Sequence, residues 1–130
     1  MSKMSLDKAE ILASQLRSQL RISSTEPVNV KIIVRMLGIL AVYRPLSDTL
    51  YGSSMKSADG KWRFVLVNSN SMSGRQSFTI AHELYHLYFD EDPQPHFCRK
   101  GQLDDAERSA NIFAGAFLMP KLGLIQHIPD

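Results

Sequence analysis

Apolar positions recur at helical spacing near both ends of the chain and at strand-like spacing in its middle. From residue 5 to 21, Leu6, Ala9, Leu12, Ala13, Leu16 and Leu20 fall on one stripe, which predicts an amphipathic helix. Ser23-Ser24-Thr25-Glu26 is a polar connector, and Pro27 then opens a second predicted helix, where its missing N–H costs nothing. That helix runs through Val28, Ile32, Ile33 and Met36 to Gly38, a left-handed C-cap. From Ile39 the period shortens. Ile39–Tyr43, Leu50–Ala58 and Trp62–Asn68 predict three strands, the last two joined around the turn dipeptide Asp59-Gly60. Phe64-Val65-Leu66-Val67 is apolar throughout, which predicts burial on both faces. Gly52 interrupts its strand and marks a bulge or a close backbone approach.

The helical period returns after the loop 69–74. Ile80, Ala81, Leu84, Leu87 and Tyr88 form a broad apolar arc, with His82 and His86 on the opposite side. Ser73 and Gln76 have the spacing of a capping box, and Asp92-Pro93 and Pro95 stop the helix. This helix carries His82-Glu83-Leu84-Tyr85-His86. One turn apart on one face, its two histidines can bind one metal ion, and Glu83 lies about 100° around the helix from His82. Zinc suits imidazole ligands and lowers the pKa of a bound water to about 7, the chemistry of a metallopeptidase. A shuffled chain of this composition would show the pattern in only about half a percent of cases.

Composition narrows the setting. With 130 residues, 44% hydrophobic and 22% charged, the chain reads as a single domain, 1–130, of ordinary globular make-up. Its single cysteine, Cys98, cannot form an internal disulfide. No signal-peptide pattern and no run of membrane-spanning length occurs, so a cytoplasmic location is the default expectation, with no membrane partner. The net charge of +2 is uneven: ten Lys and Arg face five Asp and Glu in residues 1–65, against five and eight in 66–130. The basic half is scattered, which predicts a solvated face and no direct nucleic-acid binding. The acidic half suits a cation.

A catalytic zinc usually takes three protein ligands, so His82 and His86 need a third. Residues 90–102 predict a loop, on which Asp92, His96 and Cys98 are candidates. Asp92 stands where an extended His-Glu-x-x-His pattern would place its last ligand, but Phe89 replaces the glycine of the needed turn. A further helix, starting at Gln102 or Asp104, carries Glu107, Ala110, Asn111, Phe113, Ala114 and Phe117. On the helical wheel Asn111 lies about 40° from Glu107, with Ala110 and Ala114 nearby. Small neighbours let helices approach closely. Glu107 is therefore the favoured third ligand, and Asn111 either orients a ligand or packs between helices.

Arg75-x-x-Phe78-Thr79-Ile80-Ala81-His82-Glu83-Leu84-x-His86, with Glu107-x-x-Ala110-Asn111-x-Phe113-Ala114 and Leu118-Met119-Pro120, resembles the ImmA/IrrE family of metallopeptidases. The resemblance spans about residues 27–120. It implies an α+β, zincin-like minimal domain of the gluzincin kind: two N-terminal helices, a small sheet of about three strands, the metal-site helix and a Glu-bearing helix. It also implies that Glu107 is the third ligand. Two positions depart from the family pattern: Tyr85 stands where Gly is frequent, and Ser109 where a second acidic residue is common. Family members often continue past the Met-Pro with more helix, so a chain ending at Asp130 is a trimmed core or a short member.

The resemblance further implies a substrate. Such proteins cleave or inactivate helix-turn-helix transcriptional repressors, derepressing stress-response, mobile-element or prophage genes. On this reading His82, His86 and Glu107 hold Zn²⁺, although the set also accepts Mn²⁺, and Glu83 is the general base. Tyr85, Tyr88, His96 and Arg75 stand unranked as donors to an oxyanion. The rival reading is a metal-binding anti-repressor that acts by contact, with little or no proteolysis. A peptide deformylase would need an upstream Glu-Gly-Cys ligand segment, which this chain lacks.

Overall fold

The computed structural model describes residues 3–23, 26–89, 95–102 and 104–118, with residues 3–7 described by backbone alone. Eight elements follow in order: α1 (Lys3–Gln19), α2 (Val30–Met36), β1 (Leu40–Arg44), β2 (Leu50–Lys56), β3 (Arg63–Asn68), α3 (Ser73–Phe89), β4 (His96–Arg99) and α4 (Asp105–Leu118). Among the described residues this is an α+β arrangement of four helices and one four-stranded sheet, compatible with a minimal zincin-like domain.

The sheet order is β1-β3-β2-β4. The predicted hairpin forms: β2 and β3 pair antiparallel, and Gly60 turns the chain with a φ of 71°. Asp59 accepts from the Lys61 N–H and from the Ser57 hydroxyl, which holds that turn in shape. β1 runs parallel to β3 and forms one edge. β4 forms the other, antiparallel to β2 with a register shift between Leu50 and Gly52. Residues 96–99 were expected to be loop, and this fourth strand is the main departure in the fold. Strand residues are short of pattern here because Phe97 points to solvent and Cys98 inward within only four positions. Asp92 and the Met119-Pro120 stop lie outside the described residues.

β3 also departs from expectation. Val65 and Val67 are wholly buried, whereas Phe64 and Leu66 are half-exposed, so only one face of the strand meets the core. That face is covered by α3. At Gly52, an added Cβ would lie 2.4 Å from the Leu66 carbonyl oxygen and 2.9 Å from Thr79 Cγ2. The glycine is there because α3 and β3 come too close for any side chain. Asn68, buried at the end of β3, accepts from the Leu46 and Asn70 N–H groups and donates to the Ser47 and Leu50 carbonyls, at 2.9–3.1 Å. With every site of its amide used, it fixes the chain just before α3 begins.

The helices hold α3 from its other side. Phe113 and Phe117 of α4 are fully buried and stack at 5.6 Å, while Phe113 also meets Tyr85 and Phe89 of α3 at 5.8 and 5.4 Å. Aromatic pairs of this kind contribute about 0.5–1.5 kcal/mol beyond area burial. Ala110 and Ala114, both 0% exposed, let α4 lie close against α3. Ala9, Ala13 and Leu16 of α1 join the same core.

Two local expectations change. α2 starts at Val30, not at Pro27, because Asn29 caps it by accepting from the Lys31 N–H at 3.2 Å. Its C-terminus does end as predicted: Gly38 has a φ of 70°, its N–H bonds to the Arg35 carbonyl, and the Ile39 N–H bonds to Val34. No capping box forms at α3. Ser73 is already helical, and the Gln76 side chain donates to the loop carbonyls of Ser69 and Ser71.

Candidate metal centre

The motif helix does not present its histidines to an open face. His82 is 1% exposed, and Glu83 and His86 are 0%, because β4 at the sheet edge and α4 both pack against the histidine side of α3. Four side chains from three elements meet there: His82 and His86 of α3, His96 of β4 and Glu107 of α4. Their ligand atoms all lie within 4.8 Å of one another.

Each position has a local cause. Helical pitch stacks His82 over His86, with Nε2 atoms 3.3 Å apart. Asp104 caps α4, accepting from the Glu107 N–H at 2.9 Å, so Glu107 sits in the first turn, where the helix dipole favours a carboxylate. From there its Oε2 lies 2.6 Å from His82 Nε2 and its Oε1 3.5 Å from His86 Nε2. His96 Nε2 contacts Glu107 Oε1, and its ring stacks on His86 with centroids 3.5 Å apart. His96 Nδ1 lies 2.8 Å from Glu83 Oε1. Asn111 Oδ1 is 2.8 Å from His82 Nδ1, so of the two roles open to Asn111 it takes that of orienting an imidazole.

The electrostatics follow from this crowding. Burial penalises a charged His96, but hydrogen bonds and charge from Glu107 and Glu83 outweigh it and raise its pKa to about 10. Burial alone would raise the Glu107 carboxyl; its hydrogen bonds to His82, His86 and His96 prevail and hold it well below the usual carboxylate range. Cys98, 3% exposed, is pushed up to about 12 by burial and by the two carboxylates, which leaves a protonated and weakly nucleophilic thiol.

Does this group fit a metal ion? A tetrahedral zinc with bonds of about 2.0–2.1 Å to nitrogen spaces its donors about 3.3 Å apart, and the His82 and His86 Nε2 atoms are 3.3 Å apart. Glu83 Oε2 is buried with no hydrogen-bond partner and lies 3.7 Å from His82 Nε2. Three imidazoles and a carboxylate are a donor set for a divalent cation. The residues fit.

Comparison with known proteins agrees with this geometry. Residues 35–129 match the peptidase M78 family, described as the IrrE N-terminal-like domain. The chain belongs to that family. No curated protein matches it. The family is one of metallopeptidases by its description, and among the described residues no helix is long and apolar enough to cross a membrane.

Within this family frame, the structure brings His82, Glu83, His86 and Glu107 together. It adds His96, which sequence reasoning ranked below Glu107 because a lone loop histidine is usually a bland residue. The available signal was a histidine and a cysteine two apart, the spacing at which residues of a strand share one face. The unranked donors also separate. Tyr85 packs edge-on to His86 at 5.6 Å, while Tyr88 turns away to Arg63, whose guanidinium lies 4.3 Å from the ring. Arg75 stacks over Tyr51 at 3.5 Å and lines a cleft of about 310 Å³ that borders His82 and Glu107.

Proposed function

We propose that this chain is a zinc-dependent endopeptidase in which His82, His86 and Glu107 hold the metal and Glu83 is the general base. One observation carries the reading: Glu83 is wholly buried beside the convergent His82, His86 and Glu107, with one carboxylate oxygen unpartnered 3.7 Å from His82 Nε2. Burying a carboxylate oxygen without a partner is costly, and such positions concentrate at sites that do chemistry. A zinc ion bound there would supply a water of lowered pKa and a Lewis acid for the peptide carbonyl.

The chain's own residues do the rest. Glu83 Oε2 takes a proton from the nucleophile and returns it to the leaving amine. Asn111 holds the His82 ring so that Nε2 faces Glu107. The cleft along Tyr51, Arg75 and Phe78 receives the substrate. The substrate we assign, a helix-turn-helix repressor cut or inactivated to release its genes, rests on the ImmA/IrrE resemblance.

Glu83→Gln tests this directly. Zinc content is expected to stay at the wild-type level while cleavage of a partner repressor falls by about 10²–10⁴-fold. A variant that still relieves repression as well as wild type would instead support the anti-repressor reading, in which the metal serves structure and contact does the work. The specific observation behind that second reading is the presence of four donors, one more than a catalytic zinc usually takes.

A further inference from the structure

His96 and His82 are held in the same way. Each has Nδ1 2.8 Å from a side-chain oxygen, of Glu83 for His96 and of Asn111 for His82. Each turns Nε2 to the Glu107 carboxylate. An imidazole with one nitrogen anchored by an oxygen and the other facing a donor cluster is the posture of a metal ligand. A surface or packing histidine has no reason to stack at 3.5 Å on His86 and reach two buried carboxylates at once.

We infer that His96 is a fourth protein ligand, so that the described arrangement is a closed form of the metal site. This rests on the metal reading proposed above and extends it to regulation. Catalytic zinc sites keep a position open for water, whereas four protein ligands make a structural one. With His96 bound, that position is taken, and Glu83 is engaged through Oε1 in orienting His96. Opening requires β4 to withdraw. The strand is built for this: it has four residues, lies at the sheet edge, pairs among the described residues with β2 alone, and does so across a register shift. His96 is its first residue and, at 15% side-chain exposure against 0–4% for the others, the cluster member nearest solvent.

The test uses the full chain loaded with zinc or with Co²⁺, as wild type, His96→Ala and His96→Gln. X-ray absorption at the zinc edge should count three imidazoles in wild type and two in the variants. Azide should leave the visible spectrum of wild-type Co²⁺ protein unchanged and shift that of His96→Ala, whose fourth position is open. Chelator competition should show zinc bound about 100-fold more weakly by the variants, the upper end of what losing an orienting partner alone would cost. Two imidazoles in wild type, or a wild-type spectrum that responds to azide, overturns the inference and leaves the His82, His86 and Glu107 site standing. Failure of wild type to bind zinc at all overturns both. Should His96→Ala not fold, the two wild-type measurements and His96→Gln decide the matter.

Discussion

Arg17 and Glu83 are both charged side chains taken almost wholly out of water, at 3% and 0% exposure, yet they are accommodated in opposite ways. Arg17 of α1 donates Nη1 to the Phe117 carbonyl at 2.7 Å and Nη2 to the carbonyls of Ser23 and Glu26. Its partners are neutral backbone dipoles at the C-terminal end of α4 and in the α1–α2 connection, where a cation also suits the helix dipole. Burial lowers its pKa, with only Glu26 acting against that. Glu83 is surrounded by side chains that can themselves change charge: His96 directly, and His82 and Glu107 beyond it. Fixed dipoles make a staple. Titratable partners make a site whose donors fit a metal ion.

That contrast can be broken experimentally. The largest effect is expected from Glu107→Ala, which should weaken zinc binding in chelator competition more than any of the other substitutions; an unchanged affinity would remove Glu107 from the ligand set. Next, Arg17→Met should lower stability by about 3 kcal/mol in urea unfolding, since it leaves buried carbonyls unsatisfied. Zinc affinity per folded molecule should not change, and a parallel loss of zinc would erase the distinction between staple and site. Asn111→Ala should weaken zinc binding by about 10–100-fold in chelator competition, because His82 loses its anchor. An unaltered affinity would reduce Asn111 to helix packing.

The smallest effect is the pH response of chelator-treated protein. His96 is raised from 6.5 to about 10, so its contribution to stability is complete below 6.5 and is lost as pH rises through about 10. Glu107 is depressed from 4.5, so its contribution is present above 4.5 and is lost as pH falls. Urea midpoints should therefore form a plateau between about 4.5 and 6.5 and fall away on either side. Arg17→Met should lower the plateau without moving its edges, whereas His96→Ala should remove the alkaline edge. A plateau edge that shifts with Arg17 would mean the two buried charges are coupled.

Much of this molecule is legible locally. Gly38 ends α2 in a left-handed turn as its type requires, Asp59-Gly60 makes the hairpin, and Gly52 marks the tight contact with β3 and Thr79. Arg17 is not. In the sequence it is one of ten scattered cations of a basic half, and nothing along α1 announces that three carbonyls from elsewhere surround it. Gln76 misleads for a related reason: a capping-box spacing competes with loop carbonyls within reach, and the carbonyls of Ser69 and Ser71 win.

The metal centre divides along the same line. Sequence by itself determined that His82 and His86 share a face with Glu83 beside them, because helical pitch is a local property of the backbone. It also pointed to Glu107, through the small residues that let α4 approach α3. Only the tertiary structure decided that His96 joins them and that the histidine side is closed. A four-residue edge strand has too few positions for a period to register. Its place is set by antiparallel pairing with β2, whose residues lie far back in the chain, and a non-local pairing of that kind leaves no mark on the residues around His96.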